Sequence, residues 1–103
     1  MKRQVVLTPT AQDDAQRIDS WWRSNRPAAP RLFAEELSAA VAMLEVVPEI
    51  GRPYRHHVTR KLRRMLLRAT RYHLYYVVVG EAVRVLAIWS AIRGRQPHLP
   101  GQE

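Results

Sequence analysis

Three strand-length runs stand back to back in the second half of this 103-residue chain: Leu62 to Arg68, Tyr72 to Val79 and Ala82 to Ala91. Each is rich in Val, Leu, Ile or Tyr, residues that fit a pleated and half-buried surface. Gly80-Glu81 between the last two suits a two-residue hairpin with glycine first. The runs therefore predict a three-stranded antiparallel sheet. In the middle run Tyr72, Leu74, Tyr76 and Val78 share one face, and His73, Tyr75, Val77 and Val79 share the other. Neither face is wholly polar, so one is expected to pack on helices and the other to meet a partner or a cleft.

The first half supplies the helices. Gln4 to Leu7 is a short strand that stops at Thr8-Pro9, where threonine caps a helix and proline has no amide to lose. Ala11, Ala15, Ile18 and Trp22 recur at helical spacing, which predicts a helix to about Arg23, with Asp13 and Asp14 in its first turn at the positive end of the dipole. Ser24-Asn25-Arg26-Pro27 breaks that pattern. Phe33, Leu37, Ala40, Leu44 and Val47 then mark a second helix, ended by Pro48, Gly51 and Pro53, and Tyr54 to Arg60 reads as an exposed loop. The expected class is α+β in the order β-α-α-β-β-β, with a helical hairpin on one sheet face.

Charge divides the chain. Residues 1 to 50 carry six bases and seven acids, whereas residues 51 to 103 carry eleven bases and two acids, so the formal +8 lies in the second half. A sequence pI near 11.0 with one-sided charge implies a polyanionic partner, either nucleic acid or an acidic protein. Arg60, Lys61, Arg63, Arg64, Arg68 and Arg71 lie on or beside the first two of the three runs, and Arg93 and Arg95 follow the last. The planar guanidinium fork suits phosphate and carboxylate, so these eight residues are the candidate target-binding set.

Other features narrow the class. The length predicts one domain over residues 1–103, with a flexible tail at 96–103. There is no cysteine, hence no disulfide or thiolate metal site, and a reducing cytoplasm is the expected compartment. No apolar run reaches the roughly 20 residues that span a bilayer, and no membrane partner is expected. His56-His57 lacks a third ligand in register and makes a poor zinc site, so neither metal nor cofactor is expected. With two acids in the second half there is no paired-carboxylate site, and no phosphate loop or nucleophile elbow occurs.

Along the chain stand Thr8-Pro9 with Ala11, Pro27 with Ala28-Ala29, Leu44 with Pro48 and Gly51-Arg52, Arg64 with Leu66, Tyr72 with Tyr76, and Leu86-Ala87-Ile88 followed by Arg93. Their order and spacing, over nearly the whole chain, resembles the RelE/ParE superfamily of bacterial type II toxin-antitoxin toxins. The resemblance implies a small toxin held inactive by a cognate antitoxin. It implies one of two activities: RelE-like members cut mRNA in the ribosomal A site, and ParE-like members inhibit DNA gyrase without being nucleases. RelE-like nucleases resemble this chain at Arg64, but typically place a basic residue after the tyrosine corresponding to Tyr72, where His73 stands here. They also end the last strand on basic or histidine residues, often with a later tyrosine, whereas this chain has Ser90-Ala91 and no tyrosine after Tyr76. ParE-like members often carry histidine at the position of Ser90 as well.

These positions favour the ParE-like branch, with DNA gyrase as target and an antitoxin held by Trp21, Trp22, Phe33, Leu37 and Tyr75 in an apolar groove beside the helices. The alternative is a ribosome-dependent mRNA endonuclease using Arg64, His73 and Arg93. A third reading is a plain nucleic-acid-binding module, whose affinity would fall steeply with salt.

Overall fold

The computed structural model describes residues 2–92. The elements run β1 (Gln4–Leu7), α1 (Pro9–Asn25), α2 (Leu32–Val46), β2 (Arg52–Pro53), β3 (Arg63–Leu67), β4 (Tyr72–Val79) and β5 (Ala82–Ser90). The α+β class is as expected, but the three-stranded antiparallel sheet is corrected to a five-stranded mixed sheet in the order β1-β5-β4-β3-β2. β1 lies parallel to β5, with Gln4 opposite Ala82 and Leu7 opposite Val85, and the two-residue β2 adds an edge through Arg52 opposite Arg64. Among the described residues no helix is long and apolar enough to cross a membrane.

Local chemistry explains the boundaries. Thr8 caps α1 by accepting from the Ala11 amide at 3.2 Å, and Pro9 takes the first helical position. Because the helix starts at Pro9, Asp13 and Asp14 fall beyond the first turn, contrary to expectation. Asp14 instead points inward. Where β1 ends, β5 loses its strand partner, and two α1-side groups replace it: the Thr8 hydroxyl donates to the Leu86 carbonyl at 3.2 Å, and Asp14 accepts from the Ile88 amide at 3.0 Å. An exposed edge is thereby converted into a bonded one.

Tyr72, Leu74, Tyr76 and Val78 face the helices and join Ala11, Ile18, Phe33, Ala40 and Leu44 in the main core. Val47 does not belong to that stripe, since it is the C-cap residue of α2 and is 42% exposed. Tyr75 pairs with Ala87 and Tyr76 with Val85, leaving Leu86 as an extra residue in β5. This bulge lets Leu86 and Ala87 both lie on the opposite face, beside Leu62 and Tyr75 in a second, smaller core. The loop after β2 crosses that face: the Tyr54 amide bonds the Leu62 carbonyl at 2.8 Å, and Tyr54, His56 and Thr59 are half-buried rather than exposed.

Two turns fix the sheet. Gly80 has φ +58° and Glu81 stays at negative φ, the type II′ pattern. The β3–β4 turn is bolted to α2 by Glu36, whose carboxylate accepts from the Ala69 amide at 2.7 Å, the Thr70 amide at 3.0 Å and the Thr70 hydroxyl at 2.6 Å. Glu36→Ala leaves these donors without their acceptor and is expected to cost about 2 kcal/mol, with Glu36→Gln costing less because one amide oxygen remains. Thermal unfolding of the two variants measures the difference. Equal stability to the parent would mean that the turn holds itself.

Candidate functional site on the outer sheet face

Strand alternation decides which bases reach the sheet face turned away from the helices. Arg64 lies opposite Tyr75 across β3 and β4, Arg52 lies opposite Arg64, and His73 lies opposite Trp89. All project to the face of the smaller core. Arg63, one residue away, points to the other side, where it donates to the Glu49 carbonyl at 3.1 Å and the Gly51 carbonyl at 2.6 Å. These bonds tie it to the turn after α2, on the side of the sheet away from Arg64.

Arg64 is the centre of the outer face. Its guanidinium carbon sits 4.4 Å from the Tyr54 ring centroid, and its proximity offsets part of the rise that burial gives the Tyr75 hydroxyl's pKa. Tyr54 and Tyr75 meet edge to face at 5.4 Å, and His73 meets Tyr75 at 6.0 Å. The stack orders a long cation that would otherwise wander in solvent. Beside it opens a cleft of about 490 Å³ whose lining includes Arg52, Tyr54, Arg64, Leu66, Arg68 and His73. Ion pairs among the described residues are confined to α1, Arg17 with Asp14 and Arg23 with Asp19. The bases of this face thus have no internal carboxylate to satisfy, and their charge is available to an anionic partner.

Of the remaining candidates, Arg60, Lys61, Arg68 and Arg71 are exposed in turns. Lys61 at φ +56° and Arg71 at φ +68° occupy the left-handed region that glycine or asparagine adopts more readily. Arg93 and Arg95, and the tail at 96–103, lie outside the described residues. Tyr54, Arg52 and the exposed Arg84 were not among the sequence candidates. For Tyr54 the available signal was an aromatic residue set between Arg52 and Arg55, within what reads as a polar loop.

The imidazoles carry the pH chemistry. Burial, then the positive charge of Arg64 and Arg71, hold His73 below the usual histidine range. His56 is also lowered, by burial and then by His57, and its Nδ1 accepts from the Val58 and Thr59 amides at 3.3 and 2.9 Å. A histidine whose folded pKa is depressed binds its proton more readily in the unfolded chain. Stability from both groups is therefore complete above the unfolded value near 6.5 and declines as pH falls below it. The melting temperature should drop between pH 7.5 and 5.5, and less so in a His56→Asn, His73→Gln double variant. An identical drop in that variant would assign the effect to other groups.

The five expected antitoxin contacts do not form one groove. Phe33 is 1% exposed and packs edge to face on Tyr72 at 5.4 Å inside the core, and Tyr75 is 3% exposed on the outer face. The helical period turns Phe33 inward, and strand alternation carries Tyr75 to the other side. Leu37 packs half-buried against the main core. Trp22 is half-buried, its indole N–H donating to the Tyr72 hydroxyl at 3.3 Å, and only Trp21 stands out, 44% exposed. Trp21 lines a second cleft, of about 430 Å³, between α1 and the end of β5. Ser90, opposite Tyr72, faces this cleft and not the Arg64 site.

Three solved structures of similar shape come from toxins or toxin-antitoxin complexes. The chromosomal ParDE toxin-antitoxin system from P. aeruginosa superposes with a TM-score of 0.73 at 18% identity, over 86% of this chain and 96% of that one. The toxin-antitoxin complex RelBE2 from Mycobacterium tuberculosis gives 0.64 at 22% identity, over 87% and 99%. A mutant of E. coli toxin RelE in the free state gives 0.59 at 18% identity, over 89% and 86%. At these identities the likeness is one of fold. No curated protein is similar in sequence. The family described as ParE toxin of type II toxin-antitoxin system, parDE, matches residues 5–93, nearly the whole described chain, and the protein belongs to that family.

Proposed function

We propose that this toxin acts by binding rather than by cleavage: it inhibits DNA gyrase in the cytoplasm through the outer sheet face, and a cognate antitoxin neutralises it. The observation that carries the reading is the make-up of that face. Cleavage of RNA needs a base for the 2′-hydroxyl, a cation on the scissile phosphate and an acid for the leaving oxygen. Among the described residues, Arg52, Arg64 and Arg68 supply cations around the cleft, but His73 is its one imidazole. Trp89, which carries no group for proton transfer, stands opposite His73, and Ser90 is turned to the other side of the sheet. A cationic face with a buried aromatic support suits a negatively charged macromolecular surface.

Supercoiling by purified gyrase in the presence of the toxin is the direct test. Inhibition at micromolar toxin is expected, and unaffected supercoiling would remove the proposal. One observation favours the ribosome-dependent mRNA endonuclease as second reading: His73 lines the cleft with Arg52, Arg64 and Arg68, and burial, then Arg64 and Arg71, lower its pKa, the direction that suits a general base. That reading requires codon-positioned cuts in a translating extract that vanish with His73→Ala.

A further inference from the structure

We propose that Tyr54 is a positioning residue: its ring fixes the Arg64 guanidinium, so that the donor fork is already in place when the target arrives. This deepens the binding reading of the outer face and rests on it. Among the described residues Arg26 and Arg64 are the cations that lie over aromatic rings, and of the two only Arg64 lines the outer cleft. Arg52 and Arg68 line the same cleft but are exposed, whereas Arg64 is half-buried. The cleft thus combines one held cation with two that stand in solvent.

Tyr54 is itself held at both ends. On the backbone side it follows Pro53, whose own ring fixes φ and which pairs with Arg63 at the sheet edge. The Tyr54 amide bonds the carbonyl of buried Leu62 at 2.8 Å. On the ring side it meets buried Tyr75 edge to face, at 5.4 Å and 74°. Neither part of Tyr54 can shift without disturbing a member of the smaller core. A guanidinium whose carbon lies 4.4 Å from such a ring shares its restraint. No carboxylate pairs with Arg64 among the described residues, so donors of its fork remain for an oxygen acceptor on the target. Ordering a long side chain during association weakens binding by roughly two- to tenfold, and a side chain ordered beforehand escapes that loss.

Two measurements on the full chain separate positioning from mere support. Tyr54→Leu keeps an apolar side chain against Tyr75 but has no π face, Tyr54→Phe keeps the face, and Tyr54→Met is a second ringless variant. In the toxin alone, NMR relaxation of the Arg64 Nε–H group reads the order of the guanidinium. That group should be ordered in the parent and in Tyr54→Phe, and mobile in Tyr54→Leu and Tyr54→Met. In the supercoiling assay both ringless variants should inhibit gyrase roughly two- to tenfold less well, with inhibition restored in Tyr54→Phe. Combined with Arg64→Ala, Tyr54→Leu should add no further loss, because Tyr54 acts through Arg64. An Nε–H group that stays ordered without the ring overturns the assignment, as does undiminished inhibition by the ringless variants. A further loss in the double variant also overturns it, since Tyr54 would then touch the target itself or support the whole face. If the parent leaves supercoiling unaffected, the gyrase reading falls, and the relaxation data still decide whether Tyr54 holds Arg64.

Discussion

Gly51→Ala is expected to destabilise the fold by about 3 kcal/mol or more, the sum of overpacking and of hydrogen bonds pushed apart. Gly51 is not needed for an unusual φ; the constraint is space. A Cβ at this position would lie 2.6 Å from the Tyr76 hydroxyl oxygen and 2.7 Å from its ring carbon Cε1. Tyr76 has nowhere to go, because it is fully buried, and its hydroxyl donates to the Pro48 carbonyl and accepts from the Gly51 amide, both at 2.8 Å. Tyr76→Phe should itself cost roughly 2–4 kcal/mol, since two buried backbone groups lose their partner. In the Tyr76→Phe background the closest clash is gone, so the added cost of Gly51→Ala should shrink by about 1 kcal/mol or more. Denaturant unfolding of the four proteins closes the cycle. Additive losses would show that the turn after α2 relaxes independently of Tyr76.

That contact also shows where sequence reasoning stops. Helical spacing identified Ile18, Phe33 and Leu44 as core, and Gly80 marked a hairpin, because these signals repeat within a few residues. The pairing of β1 with β5 joins Gln4 to Ala82, a separation over which no local period operates, and β2 is only Arg52 and Pro53. Both were invisible for that reason. The site was legible by residue type and not by role. Arg63 and Arg64 are chemically identical neighbours, and one-residue alternation alone makes the first a clamp on the Glu49 and Gly51 carbonyls and the second the centre of the outer face. The same alternation separated Tyr75 from Trp21, and the bulge at Leu86 shifted the phase of β5 in a way no apolar pattern signals.

Arg64→Ala is expected to reduce gyrase inhibition by about 30-fold, the loss of roughly 2 kcal/mol typical of an arginine at the centre of an interface. Stability should change less, because Arg64 and the Tyr54 ring it stacks on are only half-buried. Arg64→Lys is the informative companion. It retains the charge but has neither the planar fork nor the delocalised face that lies over Tyr54, so most of the loss should persist. Full recovery with lysine would mean that the outer face acts as a diffuse positive field, in which case Arg52→Ala and Arg68→Ala should each cost as much as Arg64→Ala and added salt should erase the differences. Inhibition by Arg64→Ala equal to that of the parent would place the gyrase contact elsewhere on the molecule. His73→Gln separates binding from chemistry on the same face, since it leaves the stack of Arg64 on Tyr54 in place and removes the imidazole. A binding toxin tolerates that change, and an endonuclease that relies on His73 does not.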